Sequence, residues 1–329
     1  MFKKLDFMSF GAWLTNGWYY VRFYFLAYLT CYFKHPPKNE IHKKGFDLVF
    51  NDEFDIPPIN WDIWSPCEHW GCIRVPVDPK LIYKAEQVWI ENGCAVMKTE
   101  LNNSTESVYT EYENNQTEPR VKSGELTTHK TLNQLYGYFE TREKLPPDGV
   151  NNWASFWAYP SNAWPPEIDV FELMGKNSSY ITMTLHYADW TTNKKEITEL
   201  IAKIDVKYGW KATDPQEVLA LLREDWTQEK QIYAVKLLAL EKHDFRPREL
   251  KFPKKDFLAR DFHTYGCLWT EKKVVWYIDN KAVYVLDKHI PTQPMYWLIT
   301  NGVNGKYTTP PATLPSVVLC DYFRAYEEL

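Results

Sequence analysis

No stretch of the 329 residues interleaves Lys and Arg with aromatic side chains, and the formal net charge is −5. A groove for a nucleic-acid strand needs a concentrated positive field, so nucleic acid is excluded as a partner. Phosphate-cradling glycine loops are missing, as are H-E-x-x-H and paired C-x-x-C arrangements for zinc. Cysteine is sparse and irregularly spaced, at Cys31, Cys67, Cys72, Cys94, Cys267 and Cys320, so folding needs no disulfide framework. Cys67 and Cys72 are near enough to close a small loop and equally compatible with two reduced thiols, which leaves the compartment open. The sequons at Asn115 and Asn177 are of a kind too common by chance to indicate secretion. No internal repeat or low-complexity tract appears.

A long uncharged run is also missing. From Phe7 to Phe33 the single charge is Arg22, which splits the segment into uncharged runs of 15 and 11 residues. Each falls short of the ~20 apolar residues needed to cross a bilayer. A cleavable signal peptide fits poorly, because the apolar stretch is aromatic rather than Leu-rich and ends in Tyr32-Phe33 rather than small residues. Residues 1–45 therefore read as an aromatic hydrophobic N-terminal arm and linker. Residues 7–33 are expected to dock on a membrane surface or an assembly partner, and His35-Pro36-Pro37-Lys38-Asn39 reads as the linker.

What the chain has is ordinary globular composition, with 45% hydrophobic and 25% charged residues, and an excess of tryptophan, 15 in all. Many short aromatic and β-branched runs separated by turn signals suit an all-β sandwich. One segment breaks that pattern. Pro215 to Leu222 follows Asp214, an acceptable helix N-cap, and Tyr233 to Leu240 has apolar residues at helical spacing. A helical insertion is expected around residues 192–258, packed outside the sheets and close to whatever cleft His186 lines.

The densest chemistry lies in Trp164-Pro165-Pro166-Glu167-Ile168-Asp169-Val170-Phe171-Glu172-Leu173. Side chains alternate faces along a strand, so Glu167 and Asp169 share a face while Glu172, five positions on, points away. A bulge in which Val170 and Phe171 oppose one partner residue resets the phase and returns Glu172 to that face. Carboxylates so crowded repel, which raises the proton affinity of one and leaves another ionised. Hydrolysis of a glycosidic bond with retention needs that pairing, with the carboxyl groups about 5–5.5 Å apart. A bare E-x-D-x-x-E also fits a solvated acidic strand end, so the spacing alone does not decide.

The chain resembles glycoside hydrolase family 16, in the branch whose motif is E-[ILV]-D-x-x-E. The resemblance rests on Leu48 to Asp55 with Trp61, Ser123-Gly124, Tyr136 to Arg142, Trp153-Ala154-Ser155-Phe156-Trp157 and the acidic motif itself. It continues through Phe262 to Trp269, Trp276 to Asp279 and Asp321 to Tyr326, so residues 46–329 read as one catalytic domain. It implies a two-sheet antiparallel β-sandwich of the jelly-roll type. It further implies that Glu167 is the nucleophile, Asp169 the residue that orients it and shares its proton, and Glu172 the general acid/base. His186 falls where relatives place a histidine close to the acid/base. Trp153, Trp157 and Trp164 are expected to stack on sugars, although a sheet protein this aromatic also uses Trp in its core. Asn301 is a further cleft candidate. No cofactor is required; a structural calcium ion, with Asp321 among its ligands, is the one metal the resemblance offers.

The activity implied is endo-hydrolysis of a β-linked polysaccharide with retention, β-1,3-glucan first, with β-1,3-1,4-glucan and galactans as alternatives. A transglycosylase, a depolymerase mounted on a cell surface or virus particle, and a non-catalytic glycan-binding module are the rival classes. The resemblance favours an extracellular, cell-surface or particle-associated location.

Overall fold

The structure is a computed structural model, and it describes residues 43–69, 71–74, 81–102, 121–147, 152–303 and 314–329, apart from 176–177, 192, 225–226, 239, 241 and 255. The N-terminal arm and its linker lie outside these residues up to residue 42.

Strands come first. The early ones are β1 (Phe46–Asp52), β2 (Ile73–Arg74), β3 (Leu81–Tyr83), β4 (Val88–Glu91), β5 (Cys94–Leu101), β6 (Val121–Ser123), β7 (Glu125–Thr127) and β8 (Gly137–Lys144). The centre is formed by β9 (Asn152–Tyr159), β10 (Glu167–Gly175) and β11 (Tyr180–Asp189). After the insertion come β12 (Lys242–Lys251), β13 (His263–Trp269), β14 (Val274–Ile278), β15 (Lys281–Leu286), β16 (Tyr296–Thr300) and β17 (Ser316–Glu328).

They form two sheets. One has six strands in the order β12-β11-β10-β9-β16-β7; the other runs β15-β14-β13-β8-β17-β5-β6-β3-β2, with β1 on β17 and β4 on β5. Among the described residues, pairing is antiparallel except between β3 and β6, which run parallel. The fold is the expected all-β sandwich.

Alternation explains the core. Along β9, Ala154, Phe156 and Ala158 point inward with Ile168, Val170, Phe171 and Leu173 of β10, against Phe139, Tyr265, Trp276 and Phe323 of the opposing sheet. Trp297 stacks on Phe139 with centroids 4.2 Å apart, and Trp269 and Trp276 are wholly buried. These three indoles are core residues. A buried Trp contributes roughly 150–250 Å² of apolar surface, which is how a sandwich of short strands gains cohesion.

The expected helical insertion contains α1 (Lys194–Tyr208), α2 (Pro215–Arg223) and α3 (Gln228–Leu238), followed later by one short turn, α4 (Phe257–Arg260). Asp214 caps α2, accepting from the backbone N–H of Gln216 at 2.8 Å and of Glu217 at 3.1 Å, and Pro215 opens the helix. Ile197, Ile201 and Ile204 of α1 meet Val218, Leu219 and Leu222 of α2 and Leu237 of α3 in a separate small core. One part of the expectation is corrected: Lys242–Lys251 is a strand, not helix, and pairs with β11 along its whole length, from Asp189↔Lys242 to Tyr180↔Lys251. Its Lys-His-Asp-Phe-Arg-Pro-Arg-Glu order lacks apolar alternation because the sheet's outermost strand is largely solvated.

Candidate active site

The bulge is present. Against β9, Ile168 pairs Ala158 and Asp169 pairs Trp157, and the next pair is Phe171 with Phe156, so Val170 is the extra residue. Val170 and Phe171 consequently both enter the core, each fully buried. Glu167, Asp169 and Glu172 are left together on the outer face of the six-stranded sheet. The carbonyl freed next to the bulge has a partner from the other sheet, because Trp276 Nε1 donates to the Asp169 carbonyl at 2.8 Å. That bond pins the kink from beneath.

Each carboxylate has a distinct set of neighbours. Trp164 Nε1 donates to Glu167 Oε2 at 2.6 Å, and Trp153 Nε1 donates to Glu172 Oε1 at 2.9 Å. His186 faces Glu167 across β11 and brings Nε2 to 3.1 Å from Asp169 Oδ2 and 3.9 Å from Glu167 Oε1. Burial, and then the neighbouring charge of Asp169, push Glu167 up to about 8. His186 and the Trp164 N–H act in the opposite direction. Glu167 and Asp169 therefore hold one proton between them near neutrality, and the apparent pKa belongs to the pair.

The sequence candidates separate into two groups. Glu167, Asp169, Glu172, Trp153, Trp164 and His186 are brought together. Trp164 is 51% exposed, so its ring is open to a ligand. His186 stands beside the Glu167 and Asp169 pair rather than beside Glu172, which lies across from Thr182. Trp157 shares the outer face but is only 6% exposed, stacked on Tyr159 at 5.1 Å with Tyr296 and Leu298 around it. Asn301 does not reach the cleft. It is fully buried, and its amide donates to the Met97 and Ser316 carbonyls at 3.1 and 3.2 Å. An Asn before Gly reads as an exposed loop residue, yet here it ties β5 to the chain entering β17. Asp321 does not fit a calcium ligand either, because its Oδ2 is 2.6 Å from Arg142 Nη1 and a guanidinium already balances the carboxylate.

Two neighbours were missed by sequence reasoning. His243 and Phe245 of β12 lie on the same face as His186: His243 stacks on His186 with centroids 5.1 Å apart and stands 4.8 Å from the Trp164 ring. Phe245 pairs with His186 in register. Only recognition of Lys242–Lys251 as a strand would have placed them there. On the opposite flank the Cys67–Cys72 disulfide closes a loop. From that loop Glu68 accepts from Tyr159 OH at 2.5 Å, and His69 Nδ1 meets Tyr296 OH at 2.8 Å. The loop thus fixes the aromatic row on β9 and β16.

Among curated proteins, the chain is 31% identical over 209 residues to the endo-1,3-1,4-beta-glycanase ExsH of Rhizobium meliloti (strain 1021), covering 62% of this chain and 33% of that protein. The chain spans about a third of the length of this relative and of the next. Among solved structures, the laminarinase catalytic domain from Thermotoga maritima MSB8 superimposes with a TM-score of 0.57 at 20% identity, covering 86% of this chain and 99% of that one. A chain solved in work on endo-acting O-glycanases, which prominent members of the human gut microbiota express to initiate mucin breakdown, gives 0.61 at 22% identity, covering 89% and 94%. Both structures share the fold. The sequence pattern of the glycosyl hydrolases family 16 matches residues 82–235 and 241–322, taking in the bulged strand, the insertion and β12. A match over that span, more than half of the chain, shows that the chain belongs to glycosyl hydrolases family 16.

Proposed function

We propose that the protein cleaves a β-linked glucan within the polymer, with retention at the anomeric carbon, and that β-1,3-glucan is its substrate class. In this reading Glu167 attacks the anomeric carbon while Glu172 gives its proton to the glycosidic oxygen, releasing one half of the chain and leaving the other as a glycosyl ester on Glu167. Glu172, now ionised, takes a proton from water, and the resulting nucleophile breaks the ester and frees Glu167. Asp169 holds the proton that Glu167 must give up before attack, and His186 favours the ionised state of the pair. Trp164 supplies an open indole face for the sugar's C–H surface.

The observation that carries the reading is the extra residue Val170, which puts Glu172 on the face of Glu167 instead of in the core. Digestion of a β-glycan panel with product analysis tests it. Oligosaccharides released from the interior of β-1,3-glucan with β-configuration at the new reducing end are expected. Glu167→Gln and Glu172→Gln should each abolish release; undiminished release in either removes that residue from its role.

A further inference from the structure

We infer that the helical insertion and two strand-end loops form a lateral pocket that receives a neutral sugar branch carried by the backbone glycan at Glu167. The inference rests on the glycan reading above and adds the shape of the glycan to it.

A cavity of about 560 Å³ lies between α2, the loop from β9 to β10 and the loop from β15 to β16. That is within the usual size of small-ligand pockets. Its walls include Asn162, Trp164, Trp190, Gln216, Arg223 and Gln293. Contacts tie the insertion to the sandwich on both sides of the opening: Arg223 Nη1 donates to the Asn162 carbonyl, and Gln293 Nε2 donates to Gln216 Oε1 at 3.4 Å. With Asp214 capping α2 and the insertion carrying its own core, the α2 wall is built in rather than loosely laid over the sheet.

Trp164 connects this pocket to the reaction centre. Its N–H is bonded to Glu167 and the same residue lines the pocket, so the pocket adjoins the place of the sugar at the nucleophile. Direction then separates branch from backbone. Glu167 and Glu172 are strung along β10 and must flank the scissile bond, so the main chain crosses the strands, past His186 and Phe245 on one side and over β9 and β16 on the other. The pocket lies off that line. It sits beyond the strand ends, where β9 and β11 finish and β10 and β16 begin. A linear polymer in the groove does not enter it, whereas a substituent on the sugar beside Glu167 does.

Charge sets the class of substituent. Asp214, Glu217 and Arg223 all line the pocket from α2 and its cap, leaving it acidic on balance, which disfavours sulfated sugars and uronic acids. Amide and carboxylate groups beside the two indoles suit hydroxyls and C–H faces, the chemistry of a neutral hexosyl unit.

The test measures binding and cleavage on the full chain, pairing linear and branched neutral oligosaccharides of equal backbone: β-1,3-glucans with and without a single hexosyl branch, and the matching β-1,3-1,4-glucan and β-galactan pairs. Titration uses Glu172→Gln protein, so affinity is read without turnover. The branched member of at least one pair should bind about tenfold more tightly. Filling the pocket with Ala220→Trp, at an exposed position of α2, should erase that gap while leaving the linear member's affinity unchanged, and Gln293→Ala should narrow it. Equal affinities within every pair, or a gap that survives Ala220→Trp, would overturn the pocket. An intact gap without cleavage of any glucan would overturn the glucanase reading and leave the pocket standing.

Discussion

His243 Nε2 lies 2.9 Å from His186 Nδ1, and the two rings stack within 15° of parallel. His186 brings its other nitrogen, Nε2, to 3.1 Å from Asp169 Oδ2, and a neutral His186 that keeps its proton on this side, toward the carboxylate, leaves Nδ1 to accept from His243. A residue of the edge strand thus supports, from the Nδ1 side, the tautomer that Asp169 favours on the Nε2 side. Burial, and then His186, hold His243 below the ordinary histidine range.

Replacing His243 with Ala removes that donor. The expected result is a loss in kcat of about five- to tenfold, the equivalent of one hydrogen bond, with a smaller change in KM. The acid limb of the pH profile should move as well, since the imidazole of His243, held low by burial, no longer titrates beside the site. His243→Gln, which keeps an N–H near the same place, should recover part of both. Unchanged kcat and pH profile in His243→Ala would remove the positioning role.

Glu167 gives a stability prediction with a definite sign. Its carboxyl is raised from 4.5 to about 8, so the folded state keeps a proton that the unfolded state loses as pH rises through 4.5. Stability falls across pH 4.5 to 8 and levels off above it, by at most on the order of 5 kcal/mol. Glu167→Gln should match wild type near pH 4 and exceed it at pH 9 in thermal melts. Asp169→Asn, which removes the neighbouring negative charge, should lower the pH at which Glu167 titrates.

Trp276 and Trp297 are both buried indoles, but only Trp276 has a described bond from its N–H, to the Asp169 carbonyl under the bulge. Trp276→Phe should cost about 1–3 kcal/mol and reduce activity, because a buried carbonyl loses its donor and the kink loses its support. Trp297→Phe should cost less, since it removes a donor without a partner among the described residues. Urea denaturation of both variants, with activity measured alongside, provides the comparison.

Asn301 and Asp321 are expected to matter for stability alone. Asn301→Ala breaks two bonds to buried carbonyls and should lower stability by about 2–3 kcal/mol with KM unchanged. Asp321→Asn should destabilise through the orphaned Arg142, and chelation should leave the melting temperature where it was. A fall in melting temperature on chelation would restore the metal role.

The acidic motif was readable because strand parity is strict: an offset of five cannot share a face without an extra residue, and Val170 is that residue. Helix α2 was readable for a similar local reason, with Asp214 and Pro215 marking its start. His243 and Phe245 were hidden because their strand has no apolar alternation and reaches the site only through pairing with β11, across the whole insertion. The support under the bulge was hidden too, since nothing local to Trp276 announces a bond to a carbonyl 107 positions away. Asn301 misled because a polar residue before glycine looks the same whether its amide meets water or two backbone carbonyls.

The position of β12 has one more consequence. As the last strand of its sheet it offers a free row of backbone donors and acceptors to any passing chain, the arrangement from which intermolecular sheets grow. Pro247 interrupts that row midway, opposite Thr184, and Arg246 and Arg248 flank it with exposed positive charge. A second molecule approaching edge to edge meets a gap in the ladder and the exposed guanidinium of Arg248, so the strand that brings His243 beside His186 is also a poor template for another copy of itself.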